Sequence, residues 1–151
     1  MKASCLLLTS VLATAAFGAS PALAVDNITS HDAPDLTSVR AKIKAKDFKT
    51  ALAELTPMLD TYQHADVYNL MGFSLRKTGD YKQAYTFYRK ALDFNPDHKG
   101  ALEYLGELYV ETGQVDKARE NVARLRQLCP ASCEELADLE KAVNATSAKL
   151  N

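Results

Sequence analysis

Residues 68–96 read YNLMGFSLRKTGDYKQAYTFYRKALDFNP, and residues 102–130 read LEYLGELYVETGQVDKARENVARLRQLCP. The two stretches superpose at an offset of 34 residues. Tyr68, Met71, Gly72, Leu75, Ala84, Tyr88, Ala91 and Pro96 return as Leu102, Leu105, Gly106, Tyr109, Ala118, Val122, Leu125 and Pro130. The eight positions keep their character, in order large, large, Gly, large, Ala, large, small or apolar, and Pro. A fixed period of this length marks one supersecondary unit copied in tandem.

The spacing within the unit predicts two helices. Tyr68, Met71 and Leu75 recur at i, i+3 and i+7 and so share one helix face, where Gly72 lets a neighbouring backbone approach closely. Thr78-Gly79-Asp80 ends that helix: Gly79 suits a left-handed C-cap, and Asp80 suits the next N-cap. A second helix follows with Tyr81, Ala84, Tyr88 and Ala91 inward, and Asn95-Pro96 stops it. Thr112-Gly113-Gln114, Val115 and Cys129-Pro130 repeat the same grammar.

These residues resemble the tetratricopeptide repeat (TPR) family, whose pattern runs W-x2-L-G-x2-Y, then A-x3-F, then Pro. Residues 65–98 and 99–132 each resemble one full repeat. Tyr68 and Leu102 stand at the Trp position, and Tyr88 and Val122 at the Phe position, all apolar-for-apolar departures. The resemblance implies an all-α fold, a right-handed α-solenoid of antiparallel helical hairpins, in which Gly72 and Gly106 should have like surroundings.

Two repeats bury their faces only against neighbours, so the flanks must supply further layers. Phe48, Ala51 and Leu55 stand 33 residues before Tyr81, Ala84 and Tyr88, which predicts a helix from about Asp47 to Thr61. Leu36, Val39 and Ile43 give a narrow apolar stripe over Asp35 to Ala45, so residues 35–64 read as a degenerate helical pair. Its groove positions cannot be transferred, because its loop is a residue shorter. Ser132-x-x-Glu135 is a capping box that opens a terminal helix over 133–146, with Leu136, Leu139 and Val143 on one face. About seven helices result.

Upstream, Lys2 is followed by no charge until Asp26, and an apolar stretch ends at Pro21-Ala22-Leu23-Ala24. This is the build of a cleaved secretory signal peptide over 1–24, so the chain is expected in the periplasm or secreted, with no membrane span after cleavage. A retained anchor is the competing reading. Residues 25–34 are polar and breaker-rich, a flexible lead-in. With 47 % hydrophobic and 25 % charged residues and a net charge of −1, the 151-residue chain is neither disordered nor a nucleic-acid binder.

Cleavage leaves Cys129 and Cys133 as an even pair flanking the turn into the last helix. In an oxidising compartment such a pair becomes a disulfide. The sharper alternative is a thiol-redox site, but C-x3-C lacks the spacing and the βαβ context of thioredoxin-like motifs. His31, His64 and His98 are scattered and read as solvated loop residues, with no metal-ligand spacing. Arg40, Lys42, Lys44, Lys46 and Lys49 make a basic, solvated stretch. No catalytic or cofactor motif stands out.

In TPR proteins the first helix of each pair lines a groove for peptides or protein segments. Carried over by the resemblance, the lining residues are Asn69, Phe73, Arg76 and Lys77 in one repeat, and Glu103, Tyr104, Glu107 and Glu111 in the next. The three glutamates stand at i, i+4 steps as an acidic ridge suited to basic groups, with Phe73 and Tyr104 as apolar anchors. Phe73 and Glu103 fall where some family members carry a Lys/Asn carboxylate clamp, so capture of an acidic C-terminus is not expected. The sequence thus reads as a non-enzymatic protein- or peptide-binding scaffold that needs no cofactor. The other readings are a self-assembling structural subunit and a thiol-redox accessory protein.

Overall fold

A computed structural model describes residues 33–150, with side chains through 146. The expected signal segment, most of the lead-in, and His31 lie outside the described residues. Seven helices follow one another: α1 (Thr37–Lys44), α2 (Phe48–Thr61), α3 (Ala65–Lys77), α4 (Tyr81–Phe94), α5 (Lys99–Glu111), α6 (Val115–Leu128) and α7 (Glu134–Leu150). No strand forms among the described residues, and no helix is long and apolar enough to cross a membrane. The chain is an all-α stack of helical hairpins, α1/α2, α3/α4 and α5/α6, closed by α7.

The hairpin turns follow the local chemistry. Asp80 caps α4 by accepting from the Gln83 N–H at 3.0 Å, and Asp47 caps α2 from the Thr50 N–H at 3.2 Å. Gly79 and Gly113 hold φ of +89° and +76°, the left-handed conformation that ends α3 and α5. At the equivalent turn of the first hairpin stands Lys46, with φ +61°. A side chain in that region costs about 1 kcal/mol that glycine avoids. Lys46→Gly should therefore stabilise the protein by about 1 kcal/mol, read as a higher urea midpoint. A midpoint at or below the wild type would show that Lys46 makes a compensating contact.

The core runs along the stack. Val39, Ala51, Leu55 and Val67 bury between the first two hairpins, and Ala84, Tyr88, Leu105, Leu125 and Leu139 between the later helices. Two expectations need correction. Tyr81, expected inward, is 41 % exposed, because it is the first residue of α4 and borders an open hollow, with Tyr85, Tyr109 and Thr112, that α5 does not fill. Gly72 and Gly106 also do not have like surroundings. Gly72 lies against the ring of Tyr88, within its own hairpin, whereas Gly106 lies against Leu139 of α7. Both contacts are to side chains, not to the neighbouring backbone that was expected. Val122 is smaller than its counterpart Tyr88, so the next helix supplies the contact instead.

At the far end Cys129 and Cys133 are brought together with Cα atoms 5.7 Å apart, inside the range a disulfide requires. This joins the end of α6 to the start of α7, over which Leu139 and Val143 seal the last hydrophobic layer.

Candidate functional site

The odd-numbered helices share a face, and there a cleft of about 310 Å³ opens. Arg40 comes from α1, Asp66, Asn69 and Leu70 from α3, Glu103 and Tyr104 from α5, and Glu134, Glu135 and Asp138 from α7. Four helices therefore build one site, and its polar lining is mostly acidic. A shallower neighbouring cleft of about 490 Å³ shares Asp66, His98, Gly100 and Glu135 with it.

His98 sets the rim. Its Nδ1 accepts from the Ala101 N–H at 3.1 Å, capping α5. The ring proton then belongs on Nε2, which lies 2.7 Å from Asp66 Oδ1 and donates to it. That bond holds the Asp66 carboxyl below the usual carboxylate range, helped by Arg40 at 3.5 Å. His64 caps α3 in the same way, accepting from the Asp66 N–H at 3.2 Å. Neither is a solvated loop residue, as the sequence had suggested. The signal was available: His64 and His98 stand one 34-residue period apart, each just before a first helix.

The expected groove residues divide into two groups. Asn69, Glu103 and Tyr104 line the cleft. Phe73, Arg76, Glu107 and Glu111 form a cluster further along α3 and α5, and Lys77 lies at its edge. Arg76, whose side chain is 1 % exposed, bonds Glu111 at 2.8 Å and also pairs with Glu107. Its guanidinium carbon lies 5.6 Å from the Phe73 ring centroid and 5.9 Å from that of Tyr104. Lys77 Nζ lies 5.2 Å from the Phe73 centroid. Phe73 in turn packs between Phe48 and Tyr104, with centroids 6.1 and 4.7 Å away.

The picture of three unpaired glutamates on one ridge is thus corrected. Glu107 and Glu111 are paired within the fold, sharing one cation, Arg76 of the preceding repeat, which leaves the trio one negative charge in excess. Glu103 is not. It is 8 % exposed, and burial, with Glu107, Asp138 and Glu135 nearby, pushes its carboxyl up to about 8. Burial likewise lifts the Tyr104 phenol to about 12. Sequence reading missed the α7 carboxylates Glu134, Glu135 and Asp138 as part of this site. Among the described residues no group of His, Cys, Asp and Glu is arranged to hold a metal ion.

The geometry is that of stacked helical hairpins with a shared inner face. Residues 75–142, a little under half of the chain, match the family model described as tetratricopeptide repeat. An 80-residue stretch is 32 % identical to the BBSome complex member BBS4 of Bos taurus, and spans 53 % of this chain but only 15 % of that protein. Among solved structures, PcrH in complex with the chaperone binding region of PopD superposes with a TM-score of 0.65 at 16 % identity, covering 76 % of this chain and 90 % of that one. A T3SS complex from Aeromonas hydrophila gives 0.65 at 14 %, covering 76 % and 79 %. The C-terminal TPR-containing domain of a Plasmodium falciparum FK506-binding protein gives 0.59 at 18 %, covering 76 % and 84 %. At these identities the likeness is one of fold.

Proposed function

We propose that this protein is an exported, non-enzymatic scaffold that holds a segment of a partner protein along the face formed by α1, α3, α5 and α7. The observation that carries the reading is the cleft itself: four helices converge on it and leave Glu103, Glu135 and Asp138 there without an ion-paired cation among the described residues. The similar fold of PcrH, seen bound to a region of PopD, supports a segment-binding role for such a fold. Export to the periplasm or beyond rests on the N-terminal sequence, and an oxidised Cys129–Cys133 pair belongs with that compartment.

The test is affinity purification of the tagged protein from the envelope fraction of its own organism, followed by mass spectrometry. A parallel arm carries Glu135→Lys with Asp138→Lys, half-buried and exposed positions on α7. A partner that co-purifies with the wild type should be depleted about tenfold or more by the reversal, because the new lysines repel a basic segment that the carboxylates would attract. Identical protein sets in both arms would overturn docking at this face. The intact mass of the same sample reads out export: a chain beginning at Val25 and lighter by two hydrogens is expected. A chain that retains residues 1–24 would refute cleavage.

A further inference from the structure

We propose that the cleft between α3, α5 and α7 seats one lysine side chain of the docked segment, with its ammonium between Asn69 Oδ1 and the Glu103 carboxylate. The inference rests on the docking reading above and assigns the chemistry of its central contact.

Two buried groups converge on the same cleft. Asn69 is 5 % exposed, and its Oδ1 is buried with no hydrogen-bond partner. Native folds leave few such acceptors unmet, since each costs as much as the bond it lacks. Glu103 has no cation bound to it among the described residues. The available cations are engaged elsewhere: Arg40 with Asp66, and Arg76 with Glu107 and Glu111. An unmet acceptor amide and an unpaired carboxylate that line one cleft make a paired seat for a donor that carries positive charge. Asn69 is the independent mark of a ligand, because acidic side chains alone would need none.

The shape favours lysine over arginine. Lysine brings three donors at a compact point on a flexible apolar stem, whereas the arginine fork is matched to one carboxylate held bidentate. Here the acceptors belong to two residues on two helices. Leu70 and Tyr104 line the approach, where the stem would lie. Gly100 keeps the floor close: a Cβ there would sit 3.3 Å from Asn69 Nδ2, crowding the amide. Glu134, Glu135 and Asp138 on α7 add a negative rim that draws a cation inward.

The probe is an acetylated, amidated alanine pentapeptide with one central lysine, titrated to millimolar concentration into the full exported chain and followed by amide NMR shifts. Saturable shifts are expected at Asn69, Gly100 and Glu103. The peptide with glutamine in place of lysine should give none, and the arginine peptide should bind several-fold more weakly. Measured at about pH 9, where Glu103 is ionised, Glu103→Gln should lower the lysine affinity about tenfold or more, the loss expected when a charge-assisted bond becomes a neutral one.

Raising the pH from about 6 to 8 should strengthen lysine binding by up to about tenfold per unit, then level off as Glu103 becomes ionised. Arg40 from α1, Asp66 and Arg76 from α3, His98, Tyr104 and Glu107 around α5, and Glu134, Glu135 and Asp138 from α7 also face this region. Loss of the pH effect in Glu103→Gln assigns it to Glu103. Equal shifts with lysine and glutamine, no shifts at millimolar lysine peptide, or unchanged affinity in Glu103→Gln would each overturn the seat. If the α7 reversal still depletes a natural partner in that case, the docking face stands and only its lysine chemistry falls.

Discussion

Replacing Gly72 with alanine should destabilise the protein by about 2–3 kcal/mol, although alanine is the better helix former by about 1 kcal/mol. The sign is decided by space. A Cβ at Gly72 would lie 2.7 Å from Cδ1 and 2.8 Å from Cε1 of Tyr88, closer than such atoms approach. Tyr88 has no room to yield: its ring is fully buried, and the Tyr104 ring packs against it at 6.3 Å between centroids. A rigid aromatic ring can relieve the clash only by displacing α4 from α3. Gly106→Ala makes the informative comparison. Its Cβ would meet Leu139 at 2.5 and 2.6 Å, but those are the terminal methyl carbons of a flexible side chain on the last helix. Its cost should be smaller, about 1–2 kcal/mol. Urea unfolding of both variants in one buffer gives the order. Gly72→Ala at or above wild-type stability would refute the packing described for α3 and α4.

That pair of glycines also shows how far the repeat pattern could be read. The 34-residue offset carries the helix positions, because i, i+3, i+7 spacing fixes which face is buried and a left-handed glycine, Gly79 or Gly113, fixes the turn. It carries no information on which neighbour fills a gap. Tyr88 reaches Gly72, whereas Val122, its counterpart, is too short to do the same job, and a side chain from another layer enters. Tyr81 shows the same limit: its periodicity is that of an inward residue, but its exposure depends on how closely α5 packs at the start of α4. The terminal helix was expected over 133–146 and runs to Leu150, since Asn144 to Lys149 contain no Gly or Pro to stop it.

The candidate site was legible in its residues and not in their pairing. All eight groove positions lie on α3 and α5, yet only Asn69, Glu103 and Tyr104 reach the cleft. Arg76 takes Glu107 and Glu111, which stand 31 and 35 residues ahead. Those separations bracket the period, so each contact joins adjacent first helices, a signal that charge counting along one helix overlooks. The contribution of α7 was hidden for a different reason. Glu135 had been read as half of a capping box with Ser132, and a capping role says nothing about what the exposed side of the helix faces.

The stability of the free protein should fall by about 2–3 kcal/mol as pH rises from about 5 to 9, and Glu103→Gln should remove most of that slope. The Glu103 carboxyl titrates at about 8 in the fold against 4.5 when unperturbed, with burial as the leading cause. Between those values the folded chain holds a proton that the unfolded chain has released. Stability from this group is therefore complete below about 4.5 and is lost as pH climbs through 8. Each unit of that interval is worth at most about 1.4 kcal/mol, and solvent at the open cleft reduces the total. Asp66 acts in the opposite sense and in another window: bonded by His98, its carboxyl is lowered, so its contribution disappears only as pH drops below the ordinary carboxylate range. Urea midpoints at about pH 5, 7 and 9 for wild type and Glu103→Gln separate the two. An equal slope in both proteins would show that Glu103 is not the group that holds the proton. The same measurement connects stability to the cleft. At about pH 9 the ionised Glu103 is a buried charge in need of a partner, so the lysine peptide should raise the wild-type midpoint and leave that of Glu103→Gln nearly unmoved.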